Sequence, residues 1–462
     1  MDPGRLPPDM AMQAVSFSAS DKVTASPRIV RGDVVWSLFS GAMGLDLGME
    51  AVGLPASLAV EIDASCCATI RRNRGDSVVV IEQDIRNVSG ADLRRRTGFD
   101  GDVGVIVGGP PCQAFSPGGN REALADPRGD LVHEFFRIVS DIRPRVFVFE
   151  NVANLATAAI RHRRIKDRPG QHWSLKSYDG NRTLKGRAGR GNHDARPMDD
   201  TELAGSALRL LLNAIRPLGY GITFAVLDAA DYGAPQHRLR FIMLGARDGA
   251  PPRLPHPTHG PRGSGLAPWV TLRDVIWDLR ENPGHHYVYT AEFQNYFNLV
   301  SPGGHWRDMP VEIQKRALGN AFHAGGGKTG FFRRLSWDAP SPTITGKPNR
   351  KGAALCHPEA IRPLSVRECA RIQGFPDDWV LTGTSEAQYR QIGNAVPTHL
   401  GTAIGHALLR DEVASDADLD PLKLYARALS RVRAAGRNRQ GRDDAADAPR
   451  QGVLPLLGGK HG

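Results

Sequence analysis

Five short apolar runs separated by helix-like stretches constrain this chain most. They occupy residues 33–39, 57–63, 77–82, 103–107 and 145–149. Runs this short and this rich in Val, Ile and Phe read as buried strands, and the segments between them as helical crossovers. Strands alternating with helices give an α/β fold with a doubly wound, mostly parallel, Rossmann-like sheet. In such sheets ligands bind outside the carboxyl ends of the strands. The residues that follow each run are therefore where function is expected.

The first run enters Ser40-Gly41-Ala42-Met43-Gly44 and a helical stretch through Glu50. Strand, glycine turn and helix open a nucleotide-binding unit, because glycine lets backbone approach a ligand. The same spacing also occurs in plain tight turns. Glu61 follows the turn by about twenty residues, where a carboxylate can accept from both ribose hydroxyls. Asp63 suits the N-cap of the next helix. Asp84 ends the third run and can accept from an adenine amino group, or simply serve the turn. The fourth run enters Gly108-Gly109-Pro110-Pro111-Cys112-Gln113-Ala114-Phe115-Ser116, with a cysteine at the tip. The fifth ends in Glu150-Asn151-Val152. Glu61, Asp84, Cys112 and Glu150 thus share one edge of the expected sheet, which argues for one shared site with Cys112 as nucleophile.

The remaining chain divides by composition. Residues 1–31 read as a flexible lead-in. Residues 161–196 hold eleven Lys/Arg against three Asp and read as a basic insert in a catalytic domain spanning 32–249. A helix is expected over 203–217 and strands over 222–227 and 241–245. Between those strands Arg238 and Arg240 alternate, so both can face one side. Prolines, histidines and glycines crowd 250–330, expected as a second, smaller domain of irregular and β structure. Residues 331–410 look ordered again. Ser365 with Glu368 three positions on forms a capping-box pattern, and a last helix covers 398–409. Residues 411–462 read as a weakly ordered tail with one helix near 421–435. The formal charge of +10 favours a polyanionic partner. Histidine and cysteine spacings fit no metal site, and Cys66, Cys67, Cys356 and Cys369 read as buried core residues. No apolar run is long enough to span a membrane. Sparse cysteines and a polar start point to the reducing cytoplasm.

Taken together these motifs resemble the cytosine-C5 DNA methyltransferase family. The turn Phe39 to Gly44 is similar to its cofactor motif, Gly109-Pro110-Pro111-Cys112-Gln113 to its catalytic loop, and Glu150-Asn151-Val152 to its catalytic acid. Gln236-His237-Arg238-Leu239-Arg240 matches its arginine motif. The stretches 367–376 and 393–397 match its two closing motifs. The resemblance implies an S-adenosylmethionine-dependent methyltransferase sheet with a target-recognition domain at 250–330. It implies Cys112, Glu150, Arg238 and Arg240 as catalytic residues. It implies a cofactor site lined by Phe39, Gly41, Gly44, Leu45, Glu61, Ile62, Asp84, Ile85, Pro110, Leu131, Asn394 and Val396. The last two come from the far end of the chain, so the C-terminal helix is expected to pack back on the first domain. Met43 stands where the family often has glycine. Thr343 matches a position near the DNA backbone.

The implied partner is double-stranded DNA, bound by a monomer. A restriction-modification role would add a cognate restriction endonuclease, and a solitary role would not. An unperturbed thiol, with pKa about 8.5, is only a few per cent ionised at neutral pH. Nearby arginines would favour the thiolate, and a protonated Glu150 would donate to ring nitrogen 3. A base inside a duplex must also be flipped out to react. Residues 113–121 are candidates to fill the gap it leaves. Two rival readings keep part of this picture: an RNA cytosine-C5 methyltransferase, and an inactive relative that only binds DNA. A nicotinamide dehydrogenase would share the glycine turn and leave the other motifs unexplained.

Overall fold

The computed structural model describes residues 28–111, 131–163, 167–169, 174, 196–323, 330–348, 350, 352–415 and 418–446. Its main sheet has seven strands: β1 (Val35–Leu38), β2 (Ala56–Glu61), β3 (Val79–Glu82), β4 (Val105–Gly108), β5 (Val146–Val152), β6 (Gly221–Asp228) and β7 (Leu239–Ala246). Their order is β3-β2-β1-β4-β5-β7-β6. The first five pair in parallel, as expected. β7 runs antiparallel to both neighbours. The strand order reverses between β1 and β4, and such a switch point opens a crevice at the carboxyl edge.

Helices α1 (Gly44–Glu50), α2 (Ala64–Arg74), α3 (Gly90–Thr97), α4 (Leu131–Ile142) and α5 (Ser206–Ile215) connect these strands. Later come α6 (Leu272–Ile276), α7 (Ala291–Asn298), α8 (Val311–Leu318), α9 (Val366–Gln373), α10 (Ser385–Asn394), α11 (Thr398–Leu409) and α12 (Pro421–Ala446). Alternation along the strands sends Val35, Val105, Val107, Val146 and Val148 to one layer. Leu45, Met49, Ile372, Leu400 and Ile404 of the helices cover them there. Trp36, Leu38, Ile106, Phe147 and Phe149 face the other layer, with Leu93, Phe135, Phe136, Leu208 and Leu211. The sheet is doubly wound because both of its faces are apolar.

Local signals behave as their chemistry requires. Asp63 caps α2 by accepting from the amides of Ser65 and Cys66. Ser365 and Glu368 form a complete capping box on α9. Cys66, Cys67, Cys356 and Cys369 are free and buried. Burial pushes the thiols of Cys67 and Cys356 up to about 12.

Two expectations need correction. The small region is not built of β structure. Tyr289, Phe297, Val300, Trp306, Met309 and Leu318, from α7, α8 and the loops between, form a core of their own. Its strands are only two residues long. Its limits also differ from 250–330. Phe332, Ala354 and Cys356 complete that core, whereas Leu272 and Ile276 belong to the main one. The helix expected near 421–435 in the tail is present as α12, which buries Leu424, Tyr425, Ala428 and Leu429 in the second layer. Their i, i+1, i+4, i+5 spacing gives α12 one apolar face.

The return of the chain end to the first domain rests on two glycines. α11 lies on α1 so closely that a Cβ at Gly48 would come within 2.5 Å of the Thr402 amide nitrogen and 2.7 Å of Gly401 Cα. Thr402 also donates its hydroxyl to the Gly48 carbonyl at 3.1 Å. The obstructing atoms are backbone and cannot swing aside. Gly48→Ala is therefore expected to lower unfolding free energy by about 1–3 kcal/mol, the range for an overpacked core. Gly352→Ala, whose Cβ would meet nothing nearer than 3.6 Å, should change it far less. Urea denaturation of the two variants checks the contrast.

Candidate active site

β5 outruns its parallel neighbour. It pairs with β4 over Val146–Phe149, and the overhang from Glu150 to Val152 pairs only with β7. Glu150 therefore lies within the strand rather than just beyond it. In the antiparallel register Val152 faces Arg240, and Glu150 sits diagonally across on the same side. Arg240 Nε lies 2.7 Å from Glu150 Oε1. The other carboxylate oxygen, Oε2, sits over Gly109, where any Cβ would collide with it. One residue further on, Asn151 donates to the Pro110 carbonyl at 3.2 Å. The base of the Gly109–Pro111 turn is thus fitted to Glu150 and tethered beside it.

Burial pushes the Glu150 carboxyl above the ordinary carboxylate range, against the downward pull of Arg240 and then Arg238. Removing a charge from water costs more than one nearby guanidinium returns. The same burial lowers the Arg240 pKa. Cys112 lies outside the described residues, as do 113–121. Pro110 and Pro111 lead up to it and carry the geometry above.

The two arginines divide their work. Both were expected beside the nucleophile. Arg238 is instead enclosed, donating at 2.8 Å to the Ile344 carbonyl and at 2.8 Å to the Gly393 carbonyl. Its backbone amide is held by Asp228, which also contacts His237 Nδ1 at 3.0 Å. Arg238 is thus held by backbone carbonyls, and Arg240 is the one at the carboxylate. Thr343, expected near a DNA backbone, donates its hydroxyl to the His237 carbonyl at 2.9 Å.

Sequence reasoning missed the partners of this segment. Gln236 and Gln373 are fully buried. Gln236 donates to Gln373 and the Ile372 carbonyl, and Gln373 donates to the carbonyls of Ile392 and Ala395. Glutamines in otherwise apolar surroundings, as in Ala370-Arg371-Ile372-Gln373-Gly374-Phe375, were the available signal. Gly109 and Asn151 could be placed in their motifs but not given partners, because both act through neighbours distant in sequence.

At the switch point the expected cofactor residues converge unequally. Gly41 has φ +54° and Met43 φ +66°, so the turn is left-handed at both. Met43 bears that strain, about 1–2 kcal/mol, with its side chain packed in the core. This conformation explains why glycine would suit position 43. Glu61 accepts from the amides of Gly41, Ile62 and Asp63, each at 2.8 Å. Gly44 is pressed against the Val396 carbonyl, so the two ends of the chain meet here. Asn394 is exposed at the end of α10. Phe39 is half-buried with φ +56°. Ile62 is 64% exposed, an apolar side chain left at the rim.

Other expected lining residues are committed to the fold. Leu45 and Ile85 are buried in the two core layers. Leu131 opens α4, half-buried on the second layer. Asp84 caps the turn after β3 and accepts a fork from Arg86, whose hydrogen bond holds its pKa down. The open Gly41 turn, the carboxylate beside it and the bare Ile62 fit an adenosine-bearing cofactor: polar groups for a ribose and an apolar flank for a ring. Among the described residues no cluster of His, Cys, Asp or Glu could hold a metal ion. No described helix is long and apolar enough to cross a membrane.

Comparison with known proteins identifies the family. The family model for C-5 cytosine-specific DNA methylase matches residues 34–166 and 201–410. The chain is 38% identical over 387 residues to the Type II methyltransferase M.Eco47II of Escherichia coli, covering 81% of this chain and 78% of that protein. It is 34% identical over 375 residues to the Type II methyltransferase M.Sau96I of Staphylococcus aureus, covering 81% and 75%. A solved E. coli chain, described as a prophage-encoded DNA modification methyltransferase, shares the fold. Its TM-score is 0.53 at 21% identity, over 82% of this chain and 98% of that one. The chain belongs to the C-5 cytosine-specific DNA methylase family and is a DNA cytosine methyltransferase.

Proposed function

We propose that Cys112 adds covalently to carbon 6 of a cytosine flipped from duplex DNA, with Glu150 as the acid that assists the addition. The observation that carries this reading is the buried Glu150 carboxyl, held by Arg240 on one oxygen and fitted against Gly109 on the other. Burial raises the pKa of this carboxyl, which favours the protonated form that would donate to ring nitrogen 3 while thiolate adds at carbon 6. Electron density then reaches carbon 5, the atom that is methylated. Loss of the carbon 5 proton and expulsion of the thiolate restore the aromatic ring. Arg240 orients the carboxyl and stabilises charge that develops on it.

S-adenosylmethionine, when bound, supplies an electrophilic methyl group. Glu61, the backbone at Phe39 and Gly41, and the Ile62 side chain would hold its adenosine, with Asn394 and Val396 closing the site from the chain end. Leu45, Asp84, Ile85 and Leu131 shape the walls rather than meet the ligand. Recognition of the sequence around the target falls to the small core built from α7 and α8, through major-groove contacts. The protein acts as a monomer. A cognate endonuclease would make it the protective half of a restriction-modification pair, the setting of the Type II relatives.

Two outcomes test the assignments. Cys112→Ser is expected to lower methyl transfer to duplex DNA by at least about 10³-fold while leaving DNA affinity within a few-fold, since a serine hydroxyl ionises far less readily than a thiol. Retained turnover would remove Cys112 from the reaction. Glu150→Gln keeps a hydrogen-bond donor but has no proton to give, so single-turnover rates should fall about 10²–10⁴-fold. The pH profile adds the sign. Glu150 works protonated, and burial raises its pKa, so the wild-type rate is sustained into higher pH and then declines as that carboxyl ionises. Glu150→Gln should lose that decline. An identical decline in both proteins would assign it to another group.

A further inference from the structure

We propose that Asp228 is a positioning residue of the active site: its carboxylate clasps His237 and Arg238 and so fixes the entry to β7, the strand on which Arg240 meets Glu150. This inference rests on the reading of Glu150 as the acid that assists cysteine addition.

The strand register places the clasp. Asp228 closes β6 and pairs with Leu239, the first residue of β7. Side chains at paired positions share one face of a sheet. Leu239 packs on the second layer, so Asp228 points to that side. Glu150 pairs with Ile242, which belongs to the first layer. Asp228 therefore lies on the face away from Glu150 and touches no reacting group. What it touches is the arginine motif. Its Oδ1 accepts from the Arg238 amide at 2.8 Å, and its Oδ2 contacts His237 Nδ1 at 3.0 Å. One side chain of β6 thus holds the two residues that lead into β7. The His237 ring also meets the Trp269 ring edge-on, with centroids 4.7 Å apart.

A plain cap would be the simpler role for this residue. Asp228 Oδ1 does accept from the Ala230 amide in the turn after β6, but at 3.4 Å. The bonds to the arginine motif are shorter and of ordinary strength. Asp228 is buried, with His237 and Asp231 as the titratable groups that face it. Burial pushes its carboxyl up, yet the hydrogen bond from His237 leads the contributions that outweigh this and hold it below the ordinary range. A carboxylate that stays ionised makes charge-assisted bonds, roughly twice as strong as neutral ones. Arg240 follows Arg238 by two residues and points to the opposite face from Asp228, where its Nε reaches Glu150. A shift at the strand entry is passed to Arg240 through two peptide units. Catalytic geometry tolerates little of that, since a misplacement of about 1 Å can cost about 10²-fold in rate.

The test measures single-turnover methylation of duplex DNA across pH by the full chain carrying Asp228→Ala, Asp228→Asn or His237→Ala, each alone and with Arg240→Met. Asp228→Ala is expected to lower the rate about 10²-fold, with cofactor and DNA affinities within a few-fold of wild type. The decline at high pH should move as well. Arg240 and Arg238 are the charged groups that face Glu150, and both favour its ionised form. With Arg240 displaced, Glu150 ionises less readily, so the decline shifts to higher pH. Asp228→Asn keeps an oxygen for the Arg238 amide and should restore most of the rate and the wild-type profile. In the Arg240→Met background Asp228→Ala should cost little more, because the residue it positions is gone. Three results would overturn the clasp: a decline that stays in place, a loss undiminished by Arg240→Met, or an Asn variant as slow as Ala. Urea denaturation checks the fold of each variant. If Asp228→Ala unfolds, His237→Ala decides, since it frees one carboxylate oxygen and leaves the other on Arg238. It should shift rate and profile the same way by less, and an unmoved rate and profile overturn the clasp. A decline that persists in Glu150→Gln would defeat the reading of Glu150 instead, and the Arg240→Met comparison then still decides the role of Asp228.

Discussion

Three enclosed polar side chains, Gln236, Arg238 and Gln373, hold the rest of this structure in place. None can find water, so each donor left without an acceptor would cost about 1–3 kcal/mol. They meet that demand with backbone carbonyls of Ile344, Ile372, Ile392, Gly393 and Ala395. Those carbonyls lie more than a hundred residues further along the chain than Gln236 and Arg238. The hub therefore fastens the segment before β7 to the ends of α9 and α10. Buried networks of this kind rigidify what they join, although Arg238 Nε has no partner of its own.

Two parts of the active site depend on that fastening. On one side it fixes the entry to β7, whose antiparallel register sets Arg240 against Glu150. On the other it sets the end of α10, after which Ala395 and Val396 lie against Gly44 of the glycine turn. The α1–α11 packing through Gly48 and Gly401 completes the second link. The Glu150 carboxyl from one strand and the segment after α10 are thereby held in a single frame. The small core of α7 and α8 is inserted between them in sequence, yet it shares residues with the return segment at Phe332, Ala354 and Cys356.

Much of this was legible in the sequence, for physical reasons that can be named. Apolar runs mark strands because a parallel sheet is dry on both faces, so β1 to β5 could be read directly. Asp63, Ser365 and Glu368 could be read because caps act over three residues. What was hidden acts across long separations. Nothing in the runs 222–227 and 241–245 says that β7 turns antiparallel, and that register puts Glu150 inside a strand. Arg238 reads as an equal partner of Arg240 until carbonyls from residues 344 and 393 surround its guanidinium. Gly109 looks like a turn glycine, although what requires it is the carboxylate of Glu150. The α12 helix was underestimated because its arginines and glycines obscure an apolar face only four or five residues long.

The central claim is that a thiol at the tip of the Gly109–Cys112 turn forms a covalent bond to cytosine beside the buried Glu150. The most direct measurement uses a duplex whose target cytosine carries fluorine at carbon 5, with S-adenosylmethionine present. Fluorine cannot leave as a proton does, so elimination stalls and the thiol stays bonded. The predicted result is a one-to-one protein–DNA complex that survives denaturing electrophoresis, with mass spectrometry placing the bond on Cys112. Steady methylation of the unmodified duplex with no such complex from the fluorinated one, or a bond at any other residue, would contradict it.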